Sequence, residues 1–413
     1  MKVLVVDEWI PWPLDSGKRI RTFHVITRLA RWHEVVFLAF AASPADDEGT
    51  ERLRAAGIRV IPVADDRIPK WTLRYRAAIL RNLASDVPFS SVYHLRPQFL
   101  SAIREAVARE RPDLVHCEWS NLAPVLDAVG DGPARVISAH NVESQIWSRY
   151  AENSRNPLER LVARRQSERI ERLERKWYPS VEVVIAVSAP DARVIRGYGA
   201  RVELVDNGVD VAYYREVAGS RVEAMPARLV FVASMDTFAN RDAALWFAGE
   251  ILPLIRRKLP STEFWVVGKD PPSAVRRLDS QDSGVRVTGT VPDVREYLLG
   301  AALAVVPLRI GGGSRLKILE SMAAGVPIVS TTVGAEGLDV TDGVHLRLAD
   351  TPEKLAACIL DLLQRPESRN SLAAAARKLV IGRYDWDALA ERNERVWRDA
   401  AARHRTASKS VPC

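Results

Sequence analysis

Short apolar runs alternate with longer amphipathic stretches along the whole chain. "KVLVVDEW" (2–9), "HEVVFLAF", "IRVIPVA", "PDLVHCEW", "ARVISAH" and "VEVVIAVS" each hold a few consecutive apolar residues, rich in Val and Ile. Runs of this length and composition read as strands buried on both faces, as in a parallel sheet. The stretches between them have helical periodicity. "LDSGKRIRTFHVITRLARW" is one such helix, with Asp15 or Ser16 as its N-cap. Repeated strand–helix alternation predicts a doubly wound α/β domain.

A second series begins near residue 227. "ARLVFVAS" is a strand, "RDAALWFAGEILPLIRRK" (241–258) one helix, and "TEFWVVG", "VRVTG", "LAVVPL" and "VPIVSTT" are further strands. The pattern therefore predicts two Rossmann-like domains: 1–205, and 227–384 after a linker at 206–226 marked by the turn signal Asn207-Gly208. The last helix, 385–405, carries an apolar face (Trp386, Leu389, Val396, Trp397) and is expected to fold back on the first domain.

Composition narrows the class. The chain has 413 residues, long enough for two domains, and a net charge of +7. A basic balance suits nucleic acid, anionic lipid or phosphorylated ligands. No zinc spacing, RNP-like segment or recognition helix is present, so no nucleic-acid partner is expected. Cys117, Cys358 and Cys413 form no CxxC pair, which argues against a disulfide framework and fits a reducing compartment. The first 40 residues do not read as a signal peptide, because Asp7-Glu8 interrupts "VLVV"; no run is long enough to span a bilayer. A cytoplasmic protein is expected, with peripheral contact to the inner face of a membrane left open. The arginine-rich helix at 155–179 reads either as a solvated face of i,i+4 charge pairs or as a surface for an anionic membrane.

The candidate chemistry lies in "RIGGGSRLKILESMAAGVP" (309–327). Gly311, Gly312 and Gly313 let backbone N–H groups approach an anion, and Ser314 leads into a helix whose N-terminus carries partial positive charge. Arg315 and Lys317 in the first turn oppose the helix dipole, which makes sense if an anion sits there. Lys317 and Glu320 share a helix face, and Glu320 lies roughly 9 Å along the axis from Ser314. A diphosphate at the tip and a sugar hydroxyl at the carboxylate would belong to one nucleotide. The alternative is a glycine hinge followed by solvated cations.

With these segments in order, the chain resembles the family-4 glycosyltransferases of the GT-B fold (glycosyl transferases group 1), in their exopolysaccharide-type branch. "PWPLDSGKRIRTFHVITRLA", "DLVHCEWSNLA", "VISAHNVES", "VDNGVDVAYY" and "VPLRIGGGSRLKILESMAAGVPIVSTTVGAEGL" carry the likeness over essentially the whole length. The resemblance implies two Rossmann-like domains facing a cleft, with a nucleotide-diphosphate sugar held mainly by the C-terminal domain and the acceptor by the N-terminal one. It implies retention of configuration through front-face attack, with no enzymic nucleophile, no metal and no cofactor.

Residue by residue, Glu320 matches the second Glu of the family's E-x7-E motif, the ribose ligand. The first Glu falls at Gly312, so this chain lacks that acid. An Arg and a Lys that often follow the first C-domain strand are Ser234 and Ala239 here; Arg315 and Lys317 are expected to take over their charge. Gly17 matches the glycine of the first N-domain loop, with Lys18 where a second glycine is common. His140 matches a cleft histidine near the reacting sugar. Val291 is expected beside the base, Asp236 with Asn240 near the diphosphate, and Glu118 beside the acceptor. The expected activity is transfer to a hydroxyl of a saccharide or lipid-linked acceptor. Transfer to a small natural product, nucleotide-sugar epimerisation, and a non-enzymic basic membrane or polyanion binder remain the alternatives.

Overall fold

The computed structural model describes all residues except 69–71, 83–84, 155, 219–226, 236, 281, 311–314 and 410–413. The chain divides into two units, Met1–Asp206 with Leu389–Cys413, and Asn207–Ala388.

The first unit is built on seven parallel strands: β1 (Lys2–Val6), β2 (Glu34–Ala41), β3 (Arg59–Ala64), β4 (Leu114–Cys117), β5 (Ala134–Ala139), β6 (Val183–Ala186) and β7 (Val202–Leu204). Their spatial order is β3-β2-β1-β4-β5-β6-β7. Val5 pairs with Phe37 on one side and His116 on the other, so the order reverses between β1 and β4. Consecutive apolar residues are needed because helices cover both faces: Val3 to Val6 and Val35 to Phe40 are all buried. The first helix, Gly17–Leu29, has Ser16 as N-cap, though the Ser16 side chain makes no capping hydrogen bond.

The second unit repeats the plan with β8 (Arg228–Val232), β9 (Glu263–Val267), β10 (Val285–Gly289), β11 (Leu303–Val306), β12 (Ile328–Ser330) and β13 (Arg347–Leu348). The order is β10-β9-β8-β11-β12-β13, with a reversal between β8 and β11. Gly268 follows β9 where a Cβ would lie 1.9 Å from the Ala233 carbonyl oxygen, so only glycine lets the two strand ends approach this closely.

Three local features depart from the sequence pattern. The helix expected over 241–258 is two helices, Phe238–Trp246 and Leu252–Arg256, joined by a π turn at Phe247–Ile251. Pro253 has no N–H to donate back along the helix, and the widened turn absorbs the missing bond. Residues read as linker include the helix Val211–Ala218, anchored by buried Val211 and Tyr214; the rest of that stretch, 219–226, lies outside the described residues. Strands β7 and β13 were not foreseen, being edge strands too short to show a period.

The last helix, Trp386–Lys409, enters the first unit from Leu389 onward. Trp397 is fully buried there and its indole N–H donates to His116 Nδ1 at 3.1 Å. His404 meets Glu182 at 2.7 Å further along. No helix among the described residues is long and apolar enough to cross a membrane.

Candidate functional site

In the first unit, the carboxyl ends of β1, β4 and β5 converge at the reversal of strand order, where open α/β sheets bind ligands. β1 runs out at Asp7 and Glu8, β4 at Glu118 and β5 at His140. Lys18, in the first turn of the helix Gly17–Leu29, reaches back with Nζ 2.5 Å from Asp7 Oδ1 and 2.9 Å from Glu8 Oε1. Burial works against the Lys18 charge, but the two carboxylates outweigh it and raise its pKa above the ordinary lysine value. Burial dominates at Asp7 and pushes its carboxyl up to about 7 despite Lys18. Glu8 is drawn below its ordinary value: burial raises it, but Lys18 and His94 prevail. A cavity of about 260 Å³ opens beside this group, lined by Asp7, Glu8, Trp9, Asp15, Lys18 and Arg19 among others.

His140 Nε2 lies 3.1 Å from Glu118 Oε2 and 2.9 Å from the Glu118 carbonyl oxygen. Both partners are acceptors, so Nε2 carries the proton and the ring is held in one tautomer. Burial lowers the His140 pKa, against the pull of Glu118. Glu118 itself is almost fully buried; burial raises its pKa, but the His140 hydrogen bond and neighbouring cationic groups hold it at about 2. His116, one strand residue before Cys117, accepts from Trp397 and meets Ser138 Oγ at 2.8 Å; burial lowers it to about 4, so it is neutral and structural.

The second unit holds the residues of the glycine-loop segment. The helix is Leu316–Ala323, with Arg315 as its N-cap, so only Lys317 of the two cations sits in the first turn. Arg315 is buried and turns away to Glu336, donating to its carbonyl oxygen at 3.3 Å and its carboxylate at 3.2 Å. Lys317 Nζ donates to Asn240 Oδ1 at 2.7 Å and lies over the Phe231 ring at 5.1 Å. Asn240 is itself oriented by its amide, which donates to the Ser234 carbonyl at 2.7 Å. Burial, helped by the nearby Arg315 charge, lowers Lys317 to about 8. Glu320 sits one turn on. Burial raises its carboxyl while Lys317 draws it down, and its carboxylate makes no hydrogen bond among the described residues. Tyr213 and Tyr214 face the same carboxylate and are both raised, chiefly by burial.

Sequence and structure can now be matched position by position. Gly17 opens the first helix beside the Asp7–Lys18 pair, and Glu118 and His140 are brought together. Lys317, Glu320 and Asn240 share the second unit's site; Val291 is half-buried in the loop after β10. Gly311, Gly312, Gly313, Ser314 and Asp236 lie outside the described residues. Arg315 stands as N-cap rather than in the first turn, because its guanidinium follows Glu336. Asp7 and Lys18 were missed as site residues. The signal was present: an acidic pair closing the first strand, followed by a lysine at the start of the next helix.

Comparison with known proteins gives the same outline. Residues 17–213 match the family model described as Glycosyltransferase Family 4, and residues 226–365 that described as Glycosyl transferases group 1. A glycogen synthase of Mycobacterium tuberculosis is 25% identical over 440 residues, spanning 100% of this chain and 98% of the relative. Among solved structures, sucrose-phosphate synthase from Thermosynechococcus elongatus superposes with a TM-score of 0.69 at 16% identity, covering 97% of this chain and 99% of the other. Anabaena HepE, solved in complex with UDP, gives 0.68 at 16% identity, with 97% and 100% covered. At that identity the two structures speak for the fold alone.

Proposed function

The chain belongs to the family-4, group 1 glycosyltransferases and has their GT-B fold, and on that premise we propose that it moves a sugar from a nucleotide-diphosphate donor to a hydroxyl of a saccharide or lipid-linked acceptor with retention of configuration. The observation that supports this most is the placement of Lys317 and Glu320, both half-buried, on one face of the helix Leu316–Ala323. A cation near the helix N-terminus suits a diphosphate, and a carboxylate without a hydrogen-bond partner among the described residues suits a diol. The HepE structures, solved with UDP and with UDP-glucose, lend support to a nucleotide-sugar donor.

In this reading the diphosphate gains negative charge as the sugar leaves. Lys317 and the backbone N–H groups of Gly311 to Ser314 neutralise it, while Arg315 braces the turn through Glu336. Glu320 holds the ribose, and Val291 and Asp236 complete the donor contacts. His140, fixed by Glu118, presents its other ring nitrogen toward the reacting sugar. A donor phosphate oxygen takes the acceptor proton, so neither a protein nucleophile nor a metal ion enters the scheme. Gly17 provides close backbone approach to the donor phosphate or the acceptor. The enzyme would work in the cytoplasm, at the inner membrane face when the acceptor is lipid-linked.

Thermal-shift screening against a panel of nucleotide sugars tests the donor assignment, since a ligand that binds only the folded state raises its stability by RT ln(1 + [L]/Kd). Stabilisation by one nucleotide diphosphate and its sugar, lost in Glu320→Ala, is the expected result. NMR of the product's anomeric proton then reads retention or inversion. Conversion of the donor without any acceptor would instead mark an epimerase.

A further inference from the structure

We propose that the paired helices Glu143–Asn153 and Pro157–Trp177 of the first unit form the surface by which this protein sits on an anionic lipid bilayer. This deepens the membrane-borne part of the proposed function by naming the surface that makes the contact.

The long helix divides into two dissimilar halves. In its C-terminal half arginines are paired: Arg172 with Asp86 at 3.3 Å and Arg175 with Glu171 at 2.7 Å. In its first two turns they are not. Arg160, Arg164 and Arg165 are exposed and have no carboxylate within salt-bridge distance among the described residues. The acid there, Glu159, is occupied by Tyr150, Ser154 and Asn156.

The same two turns expose apolar side chains. Leu158 is 68% exposed and Leu161 52% exposed. They lie three residues apart on one helix face, and Arg165 continues that stripe four residues beyond Leu161. On the partner helix, Ile146 and Tyr150 are exposed at i,i+4 spacing. The Tyr150 hydroxyl donates to Glu159 at 3.3 Å, so the apolar positions of both helices gather at one end of the hairpin. The helix Leu73–Asn82, which carries no acid and exposes Leu73, Arg74 and Arg81, meets the long helix further along, where Arg169 donates to the Asn82 carbonyl.

Exposed leucines and a tyrosine beside arginines that have no carboxylate partner among the described residues match an interface with an apolar interior and anionic headgroups. Nucleic acid would use the arginines and leave the leucines in water. A symmetric pairing of two copies would set unpaired arginines against each other.

Co-sedimentation of the full chain with vesicles tests this. The wild type is expected to bind equimolar phosphatidylglycerol–phosphatidylcholine vesicles, to ignore phosphatidylcholine alone, and to bind less as salt rises. Leu158→Glu with Leu161→Glu is expected to lower the partition constant at least about tenfold. Arg160→Gln, Arg164→Gln and Arg165→Gln together should weaken binding and flatten its salt dependence. Unchanged melting temperature and unchanged nucleotide-induced stabilisation show that the variants are folded, and read the donor site separately from the membrane contact. The proposal is overturned if the wild type ignores anionic vesicles, or if the double glutamate variant binds them as well as wild type. It is equally overturned if light scattering finds a dimer that this variant dissociates.

Discussion

Lys317 donates its ammonium proton to the side-chain oxygen of Asn240 across 2.7 Å, a neutral acceptor for a buried cation. That single contact leaves the charge only partly compensated, which is why the lysine is pulled from 10.5 to about 8. A diphosphate arriving beside it would restore the charge and draw in a proton. Donor binding near pH 8 is therefore expected to take up protons, seen in calorimetry as a dependence of the binding heat on buffer ionisation enthalpy. Lys317→Met should abolish this uptake.

The same residue weakens the unliganded protein. Below about 8 both folded and unfolded chains carry the lysine proton and the folded state bears the full cost of burying it; between about 8 and 10.5 the unfolded chain binds more protons, so stability rises with pH across that window. The depression corresponds to at most about 3.5 kcal/mol. Lys317→Met is expected to raise the melting temperature of the ligand-free protein at neutral pH while reducing its stabilisation by nucleotide diphosphate. A variant that melts lower and still responds fully to nucleotide would contradict the donor-site assignment.

Glu320 should act on binding more than on turnover. Loss of a charge-assisted hydrogen-bond pair is worth about 1.5 kcal/mol or more, so Glu320→Ala is expected to weaken donor binding at least about tenfold. Glu320→Gln, which keeps an acceptor, should fall between. Titration calorimetry with the nucleotide diphosphate alone isolates this from any effect on the acceptor.

Glu118 contributes to acid stability and, in the proposed reaction, to turnover. Its folded pKa of about 2 lies below the ordinary 4.5, so its contribution is complete above 4.5 and lost as the pH falls toward 2. Wild-type melting temperature is expected to drop between about pH 5 and pH 3 more steeply than that of Glu118→Gln. At neutral pH the Gln variant should turn over at least about tenfold more slowly, because the Glu118 charge beside the His140 ring is lost even though the backbone carbonyl still holds Nε2–H.

Trp397→Phe removes the donor to His116 Nδ1 and leaves a buried nitrogen unpaired, at a cost of about 1–3 kcal/mol. Chemical denaturation should register that loss, with nucleotide binding unchanged.

The two sheets were legible because central strands such as Val3–Val6, Val35–Phe40 and Leu303–Val306 are continuous apolar runs that only a doubly covered parallel sheet can bury. Glu118 and His140 were legible for a related reason: each directly follows such a run. What the letters did not carry was direction. Nothing in "GGGSRLK" distinguishes an arginine that turns back to Glu336 from one that faces a ligand, since that depends on a carboxylate 21 residues away. The partnership of Lys18 with Asp7 was hidden in the same way: β1 and the following helix are consecutive, but their facing groups meet only once the sheet is formed. In the arginine-rich helix the average composition hides a difference along its length: Arg172 and Arg175 meet carboxylates, while Arg160, Arg164 and Arg165 have none within salt-bridge distance among the described residues.

The division of the chain also fixes the order in which a newly made molecule can mature. The first unit includes the helix residues from Leu389 onward, yet all of the second unit is synthesised before them. A nascent chain that has emerged only to Asp206 holds seven strands but no Trp397, so the His116 nitrogen and the apolar face awaiting the last helix stay open to water. The second unit can close as soon as Ala388 is free, and the first, though begun earlier, is finished last.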